Sequence, residues 1–383
     1  MSSRTLRLAF TALGAILFAG GAAAQDTIKI GVTQPLTGAF AASGNYVAQG
    51  AKIAEEEINK AGGVLGKKIQ LIVEDNKSNP TEAVATAEKL IVKDKVPVML
   101  GAWSSTLTLA VMPKLEEYKV PMLVETSSSG KITTSGNPYI FRISPTSEME
   151  AKAFAPLFKK MSIKKADFLS TNNDFGLGAA KEFAEIAQKE GVQIGTREVM
   201  DPKATDFSAQ LAKIKASGSD TLFVTTAVEQ ATLILKQAKD QQVTARIITT
   251  GGSVSPDQLI AQAGDAANGS FHLVFFTPWF PDAVKNPDIA KKFVAIWNDK
   301  KYNVGGLTEG FRGWDGIHVI VEAIKAAGKA EPEAITKALW GVKVKGINGD
   351  IAFIKQGPPG KESAQNVPSV YLVKIDGGKV MKQ

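Results

Sequence analysis

The sequence predicts an α/β fold of two doubly wound lobes, each built on a parallel sheet, joined by a hinge of several chain crossings. Short apolar runs alternate with stretches in which apolar residues recur at helical spacing, and such alternation implies a parallel sheet with helices on both faces. The same alternation restarts after residue 146 over a stretch of similar size, with no repeat in the residues themselves. The chain's 383 residues, 44% apolar and 22% charged, are enough for two cores of this kind.

The first unit opens on Thr27-Ile28-Lys29-Ile30-Gly31-Val32, a strand pattern. A helix follows over 43–60, with Val47, Ala51, Ala54 and Ile58 at helical spacing and Gly62-Gly63 ending it. Residues 68–74 alternate charged and apolar side chains as a strand does. Residues 80–92 read as a helix with Pro80 in its first turn. Strand 96–100, helix 104–118 and strand 120–124 complete the unit. The second unit runs helix 147–160, strand 166–170, helix 175–190, strand 192–199, helix 207–216, strand 221–224, helix 229–240 and strand 246–248. Stretches 139–143 and 271–277 are candidate crossover strands, and 286–302 and 307–327 are helices that return to the first lobe. The Pro- and Gly-rich stretch 356–367 suits a third crossing. The expected division is therefore 25–143 with 276–356 in lobe I, and 144–275 with 357–383 in lobe II. A cleft between lobes joined in this way is the natural place for a ligand.

The first 24 residues read as a secretory signal peptide rather than as part of either lobe. Arg4 and Arg7 precede an apolar stretch over 8–20, and Ala22-Ala23-Ala24 offers a cleavage site near Ala24. The run of about a dozen residues is short of the roughly 20 that span a membrane. With no cysteine there is neither a disulfide nor a lipid attachment site, so a free periplasmic protein of a Gram-negative cell is expected. Removing Arg4 and Arg7 takes the formal charge from +7 to +5. The lysines are spread along the chain, without the basic patch and interleaved aromatics of a nucleic-acid binder.

Signals of enzymatic chemistry are sparse. Of two histidines, His318 lies in an apolar helical context and reads as a core residue, and His272 has no histidine or cysteine nearby. No metal-ligand spacing or cofactor motif is present. Gly130-Lys131 lacks the first glycine and the closing Ser or Thr of a phosphate loop, with Glu125 and Ile132 in those places. Ser104 or Ser128 as the nucleophile of a secreted hydrolase would lack a base. The informative places are two strand-to-helix junctions: Gly101-Ala102-Trp103-Ser104-Ser105-Thr106 and Glu125-Thr126-Ser127-Ser128-Ser129. Ligands of parallel sheets bind beyond the carboxyl ends of strands, and helix N-termini with hydroxyls beside them suit a carboxylate. Ser104 or Ser105 as a simple helix cap is the competing reading.

These junctions sit within a longer pattern. Ile30-Gly31-Val32 is followed by Pro35-Leu36-Thr37-Gly38, Ala48-Gln49-Gly50-Ala51, the run from Ile58 through Ile69, and Glu74-Asp75-Asn76. Trp103-Ser104-Ser105-Thr106, Val120-Pro121, Phe141-Arg142 and Asp174-Phe175-Gly176-Leu177-Gly178 follow in order. Over essentially the whole mature length the chain resembles the periplasmic branched-chain amino-acid-binding family of ABC importers, with its type I bilobal fold. The resemblance implies a monomeric solute-binding protein, not an enzyme, that closes on a small carboxylate ligand and delivers it to a membrane permease. A ligand-sensing role for a receptor is the alternative. It implies carboxylate contacts from Ser104 and Ser105, further ligand contacts from the loop of Thr126, Ser127 and Ser128, and, from the second lobe, an aromatic lid, Phe175, with Ala227 closing over the ligand beside it. Ser43 falls where the family often has an aromatic wall, implying extra room. Trp103 would stack on a ring or shield the core. One departure stands out: the acid that amino-acid binders place after strand 246–248 is missing from Thr249-Thr250-Gly251-Gly252-Ser253. Glu125, Asp174 or Glu229 would have to replace it, or the ligand lacks an ammonium group and is an aromatic or aliphatic acid.

Overall fold

A computed structural model describes residues 27–383; the expected signal peptide, with its expected cleavage near Ala24, lies outside the described residues. Two seven-stranded sheets form the two lobes. The first runs, from one edge, Ile69–Asp75, Ile28–Gln34, Met99–Leu100, Met122–Val124, Ile140–Arg142, Ser363–Gln365 and Ile354–Gln356. The second runs Gln193–Met200, Lys165–Thr171, Thr221–Thr225, Arg246–Thr249, Phe271–Val274, Tyr371–Asp376 and Lys379–Lys382. The first five strands of each are parallel and follow one order, with the second strand in sequence at the edge and the first beside it. Such a sheet has a switch point between its first and third strands, where the flanking loops diverge and leave a crevice.

Strands buried on both faces explain the near-continuous apolar runs of the sequence. In the first lobe one face packs on the long helices Ala41–Lys60 and Leu307–Ala327, through Ile30, Val32, Ile53, Phe311 and Ile317. The other face packs Met99, Met122 and Val124 on Leu107, Val111 and Leu115 of helix Ser105–Tyr118. The second lobe is centred on Phe223, which packs against Phe154, Phe158, Phe168 and Phe183.

The periodic helices and strands of both units are present, with ends shifted by a residue or a few. Strand 96–100 contracts to Met99–Leu100, and helix 80–92 becomes Pro80–Glu88 continued by a π-helical turn, Lys89–Lys93. Helices Pro256–Ala263 and Pro332–Leu339 and the C-terminal strands are additions that the periodicity did not reveal. The lobe assignment of the C-terminal stretch is corrected. Residues 357–360 form the turn of a hairpin between Ile354–Gln356 and Ser363–Gln365, and Ser363–Gln365 pairs in parallel with Ile140–Arg142 of the first sheet. The third crossing therefore falls at 366–370, since Tyr371–Asp376 already pairs with Phe271–Val274 in the second sheet. The other candidate crossover strands also belong to single sheets: Ile140–Arg142 to the first, Phe271–Val274 to the second.

Candidate functional site

The two sheets face each other through the loops at their strand carboxyl ends, and a small cavity lies between them. Phe40, Trp103 to Ser105 and Thr126 to Ser128 line it from the first lobe; Thr171, Asn173, Phe175, Ala227, Gly251 and Ser253 line it from the second. Each of these residues lies at or just beyond the end of a parallel strand, so the topology alone brings them together. A wider groove elsewhere includes Arg246 and Phe271, which begin their strands, and so lies at the opposite sheet end.

Three helices begin at the cavity: Ser105–Tyr118, Asp174–Lys189 and Val228–Asp240. Asn173 caps the second through its side chain, which accepts from the Gly176 N–H at 2.8 Å. The other two have no side-chain cap, because Ser104 makes none and Ala227 has nothing to cap with. Their first-turn N–H groups and partial positive charge are thus left for a ligand. The hydroxyls are placed to add to them. Ser105 Oγ accepts from the Ser129 N–H at 3.1 Å, and Ser128 Oγ accepts from Ser147 Oγ at 3.2 Å, so each keeps its own proton to donate. Thr126 Oγ1 is buried without any partner. Ser127 differs: its hydroxyl donates to the Trp103 carbonyl at 2.9 Å and pairs with Thr108 Oγ1 at 2.8 Å, so its role is to hold the wall.

Trp103 has a left-handed backbone, φ 64°, a conformation that costs a non-glycine residue about 1–3 kcal/mol. Its N–H donates to Glu125 Oε1 at 3.2 Å, its carbonyl accepts from Ser127, and its ring N–H donates to Glu309 Oε2 at 3.3 Å. Fixed in this way, the indole packs on the Phe40 ring with centroids 4.9 Å apart and both rings line the cavity. The expectation for Ser43 is corrected: it is buried in the first turn of helix Ala41–Lys60 and is not part of the cavity lining. Phe40, the residue before that helix, supplies the aromatic wall instead, so no extra room arises there.

Arg142 lies behind the hydroxyl loop and is fully buried. Its guanidinium donates to the carbonyls of Ser127, at 3.1 Å, and Ser129, at 2.6 Å, and to Thr133 Oγ1 and Gln365 Oε1. It gathers carbonyls that would repel an anion and adds positive potential behind the hydroxyls. Only its place in a motif marked it in the sequence.

Among the residues lining the cavity none is charged. The three acids that could have faced an ammonium group are elsewhere. Glu125 is buried behind the wall, accepting from Gln34 Nε2 at 2.9 Å and from Trp103 N–H. Asp174 is held by Thr106 Oγ1 at 3.0 Å and Lys131 at 3.1 Å, and Glu229 is not part of the lining. Neither imidazole is bonded to Ser104 or Ser128: His272 lies between Thr249 and Ser270, each at 2.8 Å, and His318 packs against the Trp314 ring. His318 departs from a fully satisfied core residue, because its Nε2 is buried without a partner. No group of metal-ligating side chains occurs among the described residues, and no described helix is long and apolar enough to cross a membrane.

Comparison with known proteins agrees with this architecture. The family model for periplasmic binding proteins matches residues 27–379. The leucine-, isoleucine-, valine-, threonine- and alanine-binding protein of Pseudomonas aeruginosa is 29% identical over 363 residues, covering 93% of this chain and 94% of that one. A branched-chain amino acid transporter substrate-binding protein of Streptococcus pneumoniae, solved with isoleucine, is 26% identical with a TM-score of 0.82, covering 93% and 98% of the two chains. A solute-binding protein of an ABC transporter from Rhodopseudomonas palustris, solved with 3,4-dihydroxybenzoic acid, is 28% identical with a TM-score of 0.80, covering 93% and 96%. With two like-ordered lobes, an interlobe cavity and this match over the described chain, the protein belongs to the periplasmic binding protein family, the solute-binding proteins of ABC importers.

Proposed function

We propose that this protein closes on a small aromatic carboxylate without an ammonium group and delivers it to the permease of an ABC importer from the periplasm. The observation that carries this reading is the cavity wall: hydroxyls of the first lobe, an uncapped helix N-terminus from each lobe, Phe40, Trp103 and Phe175 around them, and no carboxylate. An α-amino acid would bring a cation into a closed space without a counter-charge, at a cost of several kcal/mol. A carboxylate alone meets N–H and O–H donors, with Ser104, Ser105, Thr126 and Ser128 around it, and its ring meets aromatic faces. One structural relative carries isoleucine and another 3,4-dihydroxybenzoic acid, so this fold accommodates both chemistries. With neither imidazole bonded to Ser104 or Ser128, binding without turnover is the reading favoured over hydrolysis.

Titration calorimetry with benzoate, phenylacetate, leucine and phenylalanine tests this. The expected result is binding of benzoate or phenylacetate about 100-fold or more tighter than of leucine or phenylalanine. Tighter binding of leucine or phenylalanine than of any deaminated acid would overturn the ligand class.

A further inference from the structure

The cavity has a second set of fixings on its far side, centred on a buried guanidinium. Arg312 lies on helix Leu307–Ala327, in the core of the first lobe, and is 1% exposed. Its Nη2 donates to the carbonyl of Gly252 at 2.5 Å. Gly252 follows strand Arg246–Thr249 of the second sheet, so this bond joins the lobes. Phe275 and Phe311 flank the guanidinium, 5.1 and 5.5 Å from it. On its other side Arg312 Nε lies 3.3 Å from Glu309 Oε2, the oxygen that accepts the Trp103 ring N–H.

The turn that Arg312 holds is a cavity wall. Gly251 and Gly252 both have positive φ, 86° and 60°. A Cβ on Gly251 would lie 2.3 Å from the Phe175 ring, so the backbone rests directly on the aromatic lid. The Gly251 N–H donates to Glu150 Oε1 at 2.7 Å. The turn is thus fixed by Glu150 from its own lobe and by Arg312 from the opposite one. A continuous path runs from Phe175 through Gly251 and Gly252 to Arg312, Glu309 and Trp103, joining the two aromatic walls behind the ligand space.

We propose that Arg312 is a positioning residue that latches the closed form, seating the Gly251–Gly252 turn against Phe175 and tying that wall to Trp103. It touches no ligand. The bond exists only when the lobes are together, so it favours the closed population and slows ligand release while leaving encounter with the open form alone. The part concerning release rests on the ligand reading above; the part concerning closure does not.

Stopped-flow tryptophan fluorescence with benzoate as probe, together with solution scattering of ligand-free protein, tests the latch on the mature chain. Removing Arg312 alone leaves buried carboxylates unpartnered, so the variants are Arg312→Lys and the charge-matched double Arg312→Gln/Glu309→Gln. Dissociation is expected to rise about 10-fold or more in the double variant and less in Arg312→Lys, with association within about twofold of wild type. The ligand-free double variant is expected to have a larger radius of gyration than wild type. Dissociation rates equal to wild type, or equal disturbance of association and dissociation, would overturn the latch. Should benzoate fail to bind the wild-type protein, the ligand reading fails alone, and equal ligand-free radii would still overturn the latch.

Discussion

Thr126 lines the cavity with a hydroxyl that no other group of the protein satisfies. Its hydroxyl is 6% exposed as a residue and has no partner, a state that costs about 1–3 kcal/mol in a protein interior. Thr126→Val removes that polar atom at constant shape. The unliganded protein is therefore expected to be as stable as wild type or more so in thermal unfolding, while affinity for a bound acid falls about 10- to 100-fold in calorimetry. Loss of stability with unchanged affinity would assign the hydroxyl to the fold instead. Ser104→Ala should weaken binding by about 1–3 kcal/mol with little effect on stability, because its hydroxyl makes no helix cap. Burial also shapes the response to pH. It pushes Glu150 up to about 8 and both Glu309 and Asp315 up to about 7. The folded chain then binds more protons than the unfolded one above the ordinary carboxylate range, so these groups make stability fall as pH rises towards 8. Burial holds His272 down at about 3 and His318 at about 4, which gives the opposite slope, confined below about pH 6.5. The melting temperature should therefore decline from about pH 6.5 to 8.5, and Glu150→Gln, which keeps an acceptor for the Gly251 N–H, should flatten that decline. A wild-type midpoint that rises over this interval would rule the account out. The hydroxyl run was legible in the sequence because its chemistry is local to two junctions. Phe40, Asn173, Gly251 and Ser253 were not, because each lines the cavity only once distant strand ends are brought together.

At the scale of elements, the two longest helices are joined through their backbones. Helices Ala41–Lys60 and Leu307–Ala327 approach so closely that a Cβ on Gly50 would lie 1.7 Å from the Gly310 carbonyl oxygen. A methyl group there meets backbone, which cannot rotate away. Gly50→Ala should therefore cost about 1–3 kcal/mol or more despite its better helix propensity, read as a lower urea midpoint. An unchanged or raised midpoint would show that the helices part without loss. Each helix was legible from its periodicity, but nothing within either marks a partner more than 200 residues away. The C-terminal hairpin failed for a related reason. Gly357-Pro358-Pro359-Gly360 has linker composition, and its role as a turn depends on Ser363–Gln365 finding Ile140–Arg142.

For the whole molecule, the shared strand order of the two sheets places the cavity between the lobes. Both switch points open towards the same gap, so a solute touching both lobes adds its contacts to those that the lobes make with each other. Near the outer rim those contacts are modest. Asp174 of the second lobe accepts from Thr106 and pairs with Lys131, which is 71% exposed at its side chain, and Gln258 donates to the Tyr46 hydroxyl at 3.2 Å. Exposed pairs of this kind contribute about 0–1 kcal/mol and are screened by salt. Asp174→Asn keeps an acceptor for Thr106 and loses only the ion pair. Its affinity for a bound acid is expected to fall less than about fivefold at low ionic strength, with the difference vanishing near 0.5 M salt. Calorimetry at both ionic strengths checks this. A large, salt-independent loss would move Asp174 from the rim to the ligand itself, and would restore the possibility of an ammonium-bearing solute.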